Sequence, residues 1–222
     1  MKLLAFDCDG TILDTRMDYQ AALNNTLKEY GLQGITLDQV TAFLGYGTDH
    51  LVKETLKASK APDGIYEEFK KDYLDRYFSN LFVHTKEYPG ITEFLERAQS
   101  LGYPLAVISN KPDQAVKELI SESFPTIKFR AVKGQGEGER PKPYPDLLLS
   151  VLKDLGISPS DTAYYGDTEV DALLAKNASV RDLYICRWGF RPKEELDAAL
   201  KKENIVPTMV LDAPQELYRT LE

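Results

Sequence analysis

Asp7 and Asp9 stand two positions apart at the end of the apolar run Leu3–Phe6, in the stretch LLAFDCDGT. In extended chain, residues i and i+2 face one side, so both carboxylates share a face and Cys8 takes the other. Two carboxylates so close repel, and one of their pKa values rises unless a cation intervenes. An Asp-Gly turn accounts for Asp9 and Gly10 but leaves Asp7 unexplained. A second apolar run, 105–108, ends in SNKP. There the Ser109 hydroxyl, the Asn110 amide and nearby backbone N–H groups can hold the oxygens of an anion. The same two residues also suit the N-cap of a following helix. Lys142 lies between Pro141 and Pro143. Fixed proline φ angles restrict the backbone there and can aim the ammonium inward, the alternative being a solvated lysine in a proline-rich connection. In YGDTEVD, Asp167 ends another apolar run and Asp171 follows one helical turn later, so both carboxylates can face one side. Thr168 and Asp171 also have capping-box spacing, a reading that leaves Asp167 without a role.

These residues need elements to bring them together. Short apolar runs at Leu3–Phe6, 105–108, 129–132, 163–165 and 183–186, with a weaker one at Met209–Leu211, read as buried strands. Helical patterns separate them. ITEFLERAQSLG places Ile91, Phe94, Leu95 and Ala98 on one face before Gly102, and PYPDLLLSVLKDLG opens on prolines and stops at Gly156. The alternation predicts a parallel sheet covered by helices on both faces. Residues 14–86 break the rhythm with helical patterns and few strands. The expectation is therefore an α/β core of residues 1–13 and 87–222, a doubly wound Rossmann-like sheet, with a helical unit of residues 14–86 inserted after the first strand. In such sheets ligands bind beyond the carboxyl ends of the strands, where each polar stretch above falls.

The chain has 222 residues, 43% hydrophobic, with 35 acidic residues against 27 basic ones. That is enough for a substantial core. A net charge of -8 without a basic stripe argues against nucleic-acid binding, while leaving room for a small anionic substrate opposed by local cations. The first apolar stretch is too short for a signal peptide or membrane span, so no membrane partner and a cytoplasmic protein are expected. Cys8 and Cys186 both lie in strand-like runs and are read as buried free thiols. Together, three acids, a hydroxyl and a lysine would converge at one sheet edge, and carboxylates suit Mg²⁺, a hard cation that takes oxygen ligands and would let Asp7 and Asp167 stay ionised together.

Taken in order, DCDGT, SNK, the lysine of KPYPD and GDTEVD resemble the four motifs of the haloacid dehalogenase superfamily of phosphohydrolases. The resemblance runs to about Trp188, and the inserted helices resemble that family's small cap domain. Within it, SNKP, KPYPDLLL, GDTEVDALLAKNA and WGFRPKEEL are most similar to phosphoglycolate phosphatases. One departure is KNAS at 176–179, where the family has an Ala-Gly pair. The resemblance implies Asp7 as nucleophile and Asp9 as general acid and base. It implies Mg²⁺ on the Asp7 carboxylate, the Asp9 backbone carbonyl and Asp167, with Asp171 in support. Ser109, Asn110, Lys142 and the backbone near Gly10 would bind the phosphoryl group. A small phosphorylated substrate, 2-phosphoglycolate foremost, and a monomer or homodimer are expected. Cap residues Arg16 and His50 are candidates to meet a substrate carboxylate. A phosphomutase resembling β-phosphoglucomutase and a non-enzymatic phospho-binding module are the rival functions.

Overall fold

The computed structural model describes residues 2–221. The chain opens with β1 (Leu3–Phe6), every residue of which is buried. Alternate side chains enter different packing layers. Leu4 and Phe6 join one core cluster, Leu3 and Ala5 the other, as the two-residue period of a strand requires. A short strand β2 (Leu13–Asp14) leads into four helices, α1 (Arg16–Glu29), α2 (Leu37–Phe43), α3 (Thr48–Ala58) and α4 (Tyr66–Phe78). The chain returns through β3 (Lys86–Glu87), which pairs antiparallel with β2, Leu13 opposite Glu87. Both passages between the helical segment and the sheet therefore run side by side. Asp18, in the first turn of α1, fastens the return. Its buried carboxylate accepts from His84 N at 2.9 Å and from Thr85 N and Oγ1 at 2.8 Å.

The remaining elements alternate: α5 (Ile91–Ser100), β4 (Leu105–Pro112), α6 (Asp113–Ser123), β5 (Ala131–Gln135), α7 (Asp146–Leu155), β6 (Thr162–Gly166), α8 (Glu169–Asn177), β7 (Asp182–Cys186), α9 (Lys193–Lys202) and β8 (Met209–Leu211). The six long strands form one sheet in the order β5-β4-β1-β6-β7-β8, all parallel. The order reverses beside β1, so the carboxyl ends of β1, β4 and β6 border one crevice. Among the described residues no helix is long and apolar enough to cross a membrane. Cys8 and Cys186 are free and buried.

Two strand expectations differ from the structure. The run 129–132 marks β5 too early; the strand continues through polar Lys133–Gln135 because β4 beside it continues, Gln135 pairing with Pro112. At an edge strand the neighbour's length, not hydrophobicity, sets the span. For the same reason Ser109, Asn110 and Lys111 belong to β4 and do not cap α6, whose N-cap is Pro112 with no side-chain bond.

Candidate active site

Asp7 extends one residue beyond β1, and its backbone N–H still bonds Tyr165 O at 2.8 Å in the ladder to β6. Its carboxylate is therefore held by the sheet itself. Asp167 lies one residue past β6 and Asp171 sits in the first turn of α8. Oxygens of Asp7, Asp167 and Asp171 lie within 4.8 Å of one another, all three residues buried. One ammonium faces them. Lys142 Nζ lies 2.9 Å from Asp7 Oδ1 and 2.8 Å from Asp171 Oδ1, with Tyr164 OH at 3.2 Å. The proline-flanked lysine thus points inward.

Close backbone approach makes this crowding possible. Gly10 has φ +84°, and a Cβ there would stand 2.3 Å from Asp167 Oδ2. A Cβ on Gly189 would meet Asp167 Cβ at 2.2 Å. Asp167 accepts from Thr11 Oγ1 at 3.2 Å and from Phe190 N at 2.7 Å. Trp188 Nε1 fastens the Thr11 carbonyl at 3.0 Å, which steadies the turn after β1.

Burial pushes Asp7 up to about 7, with Asp171 and Asp9 adding to the shift and Lys142 opposing it. Burial, then Asp171 and Asp7, raise Asp167 well above the usual carboxylate range. Burial alone would lower Lys142, but the charges of Asp171 and Asp7 hold it well above the ordinary lysine value. Fully ionised, three carboxylates against one ammonium leave two negative charges unmatched. A hard divalent cation supplies that balance, and the donor set, all oxygen, suits Mg²⁺.

Asp9 faces a different environment. Its Oδ1 accepts from Thr15 Oγ1 at 2.7 Å and lies 3.0 Å from Lys111 Nζ, while Oδ2 accepts from Tyr19 OH at 3.2 Å. Lys111 donates to Tyr19 OH at 2.6 Å and to Tyr77 OH. The Tyr19 and Tyr77 rings stack at 4.7 Å, and the ammonium lies 4.2 Å from the Tyr19 centroid. Burial would lower the Lys111 pKa; Asp9 and Tyr77 outweigh it and hold the group above the ordinary value. Sequence reasoning gave Lys111 no role. The available signal was a lysine inside SNKP, directly after an apolar run.

Two expected phosphate ligands have other work. Both amide hydrogens of Asn110 are committed, to Gly45 O at 2.8 Å and Lys142 O at 3.0 Å, while its Oδ1 accepts from Lys142 N at 2.6 Å. Asn110 positions Lys142 and ties the α2–α3 loop to the sheet. The Gly10 N–H bonds Leu13 O at 2.8 Å, and the absence of a side chain there makes room for Asp167. Ser109 is buried and lines the cavity between sheet and helices, with Asp7, Asp9, Lys111, Leu44 and Leu51. The capping box on α8 is also present: Asp171 Oδ2 accepts from Thr168 Oγ1 at 2.7 Å and Thr168 N at 3.2 Å. One oxygen of Asp171 caps the helix and the other meets Lys142, so both readings of that spacing hold.

The helical segment lies directly over this site. The loop from Leu44 to Thr48 lines the cavity, and Tyr46 OH bonds Glu169, which also accepts from Arg191 Nε at 2.9 Å. About 20 Å³ remains between the two sides, room for roughly one water. The helical segment thus leaves little space at the site. Arg16 does not face the cavity; it pairs with Asp14 at 2.6 Å and lies over Phe190. His50 packs against the Tyr46 ring.

Residues 4–185 match the family described as haloacid dehalogenase-like hydrolase. A phosphoglycolate phosphatase of Aquifex aeolicus (strain VF5) is 31% identical over 222 residues, covering 100% of this chain and 97% of that protein. Phosphoglycolate phosphatase 1 of Pseudomonas aeruginosa is 34% identical over 183 residues, covering 81% of this chain and 67% of that one. The crystal structure of a predicted phosphoglycolate phosphatase from Haemophilus somnus 129PT superposes with a TM-score of 0.87 at 23% identity, covering 100% of this chain and 98% of that one.

Proposed function

The chain belongs to the haloacid dehalogenase-like hydrolases, and from that premise we propose that it hydrolyses a small phosphomonoester in two steps, with 2-phosphoglycolate as the leading substrate. The observation that carries this reading is the division of the acids. Asp7, Asp167 and Asp171 crowd together around Lys142, while Asp9 stands apart on the side of the helical segment. Among the described residues, the donors to Asp7, Cys8 N at 2.7 Å and Lys142 Nζ, converge on Oδ1, which leaves Oδ2 to attack phosphorus. The P–O bond to the alcohol breaks as the aspartyl-phosphate bond forms, and Asp9 gives its proton to the departing oxygen. Water then attacks the aspartyl phosphate, Asp9 takes a proton from it, and phosphate leaves with Asp7 regenerated. Lys142 and the Ser109 hydroxyl stabilise the charge on the transferring group.

Asp7, Asp167 and the Asp9 backbone carbonyl would hold Mg²⁺, with Asp171 in support. Bound there, the ion neutralises charge on the phosphoryl oxygens. Asn110 acts indirectly, by fixing Lys142 and the loop at Gly45. Closure of the helical segment excludes bulk water from the first step. The relatives named phosphoglycolate phosphatase direct the choice of substrate.

A phosphate-release screen over small phosphomonoesters, run with Mg²⁺ and with a chelator, tests the reading. Release that requires Mg²⁺, with 2-phosphoglycolate highest in kcat/KM, is expected. Isomerisation of sugar phosphates without net release, or undiminished turnover in chelator, would overturn it.

A further inference from the structure

Lys111 is the one cationic side chain lining the cavity among the described residues, and its side chain is 0% exposed. It lies at the end of β4, across the cavity from the cluster that Lys142 serves. The walls nearby are Leu44, Leu51 and the small loop residues Gly45 and Gly47. An ammonium in such a place is costly unless anions and hydrogen-bond acceptors surround it. Its partners are Asp9 Oδ1 and the hydroxyls of Tyr19 and Tyr77, two residues that come from the helices over the site.

A leaving group bound beside Asp9 must therefore lie against this ammonium. A neutral one would displace these partners and return little. A carboxylate would accept a charge-assisted hydrogen bond in a dry, tightly enclosed space. Resting on the phosphatase reading of this site, we propose that Lys111 is the residue that selects a carboxylate on the leaving group. The substrate carboxylate accepts from Lys111 Nζ in the place that Asp9 Oδ1 holds here. The two tyrosine hydroxyls remain to orient the ammonium. Because Tyr19 and Tyr77 reach Lys111 only when the helices cover the sheet, the selective contact forms as the site closes. Substrate charge is read at one lysine and phosphate at the other.

The test compares three compounds on the full chain with Mg²⁺: 2-phosphoglycolate, its carboxamide and 2-hydroxyethyl phosphate. The wild type should prefer the carboxylate by about 30-fold in kcat/KM, carried mainly by KM, as one charged hydrogen bond allows. Lys111→Met should reduce the preference to about threefold or less, and Lys111→Arg should retain roughly tenfold. Wild-type turnover of the carboxamide close to that of the acid overturns the assignment without recourse to any variant. So does a Lys111→Met protein that slows all three compounds equally, because Lys111 would then only hold Asp9 and the helices. Phosphate release from none of the three by the wild type defeats the phosphatase reading itself.

Discussion

Two buried lysines pair with aspartates at the same end of the sheet, and their surroundings differ. Lys142 divides itself between Asp7 and Asp171 in a cluster that also contains Asp167, where negative charge is in excess. Lys111 meets only Asp9, and its other partners are neutral tyrosines. The first region is built from sheet ends, α8 and the β5–α7 connection that carries Lys142, whose backbone is pinned by Asn110. The second joins the sheet to helices α1 and α4. A rigid, over-charged end suits an inorganic cation and a phosphoryl group. A charge-balanced end walled by residues of α1 and α4 suits an organic group.

Asp7→Asn attacks the over-charged end most directly and should lower phosphate release by roughly 10⁴-fold or more, with the circular dichroism spectrum unchanged. Near-normal turnover in that variant would remove Asp7 as the nucleophile. Lys142→Met leaves three carboxylates without their ammonium and should cost about 3–5 kcal/mol in urea unfolding of the metal-free protein. A loss no larger than that of a surface lysine would mean that the carboxylates do not depend on it.

The metal-free protein should also respond to pH. Asp7 titrates near 7 when folded, against 3.8 in an ordinary setting. Between those values the folded state holds a proton that the unfolded state has released. Stability from this group is therefore full below about pH 4 and is lost as pH rises toward 7. Melting temperatures measured from pH 4 to 7 should fall in chelator. Mg²⁺ at 100 times its Kd should add about 2.7 kcal/mol near neutrality and offset the decline. An identical pH profile with and without Mg²⁺ would separate the ion from this cluster. Asn110→Ala should cost about 1–3 kcal/mol of stability and raise KM, since it unpairs the backbone of Lys142 and the Gly45 carbonyl together. The smallest change serves as a control far from both lysines. Ser179 adopts φ 56° just after α8, where the related motif has glycine. Ser179→Gly should stabilise by about 1 kcal/mol without altering turnover, read from the melting temperature and phosphate release.

The acids at strand ends were legible because each follows a fully buried run, where a solvated carboxylate has no place. The parallel sheet was legible from the alternation of short apolar runs with amphipathic helices. Lys111 was not, since a lysine beside a proline reads equally well as solvated, and only Tyr19 and Tyr77, 92 and 34 positions away, make it buried. Asn110 was assigned to phosphate from its chemistry. Its donors are claimed instead by two carbonyls that are remote in sequence. Gly10 looked like a donor in a loop, yet its φ and the Asp167 side chain above it explain the residue better.

What the sequence determined by itself was the set of groups at the sheet edge. Strand periodicity fixes which way Asp7 and Asp9 point relative to Cys8, and the four motifs stand in a fixed order along one sheet. What only the tertiary structure decided was which groups share partners. Hydrogen bonds between distant segments, Asn110 with Gly45 and Lys111 with Asp9 and the two tyrosines, depend on how the helices settle on the sheet. No local pattern encodes that docking, because each of these side chains has several acceptable partners until packing leaves it one set.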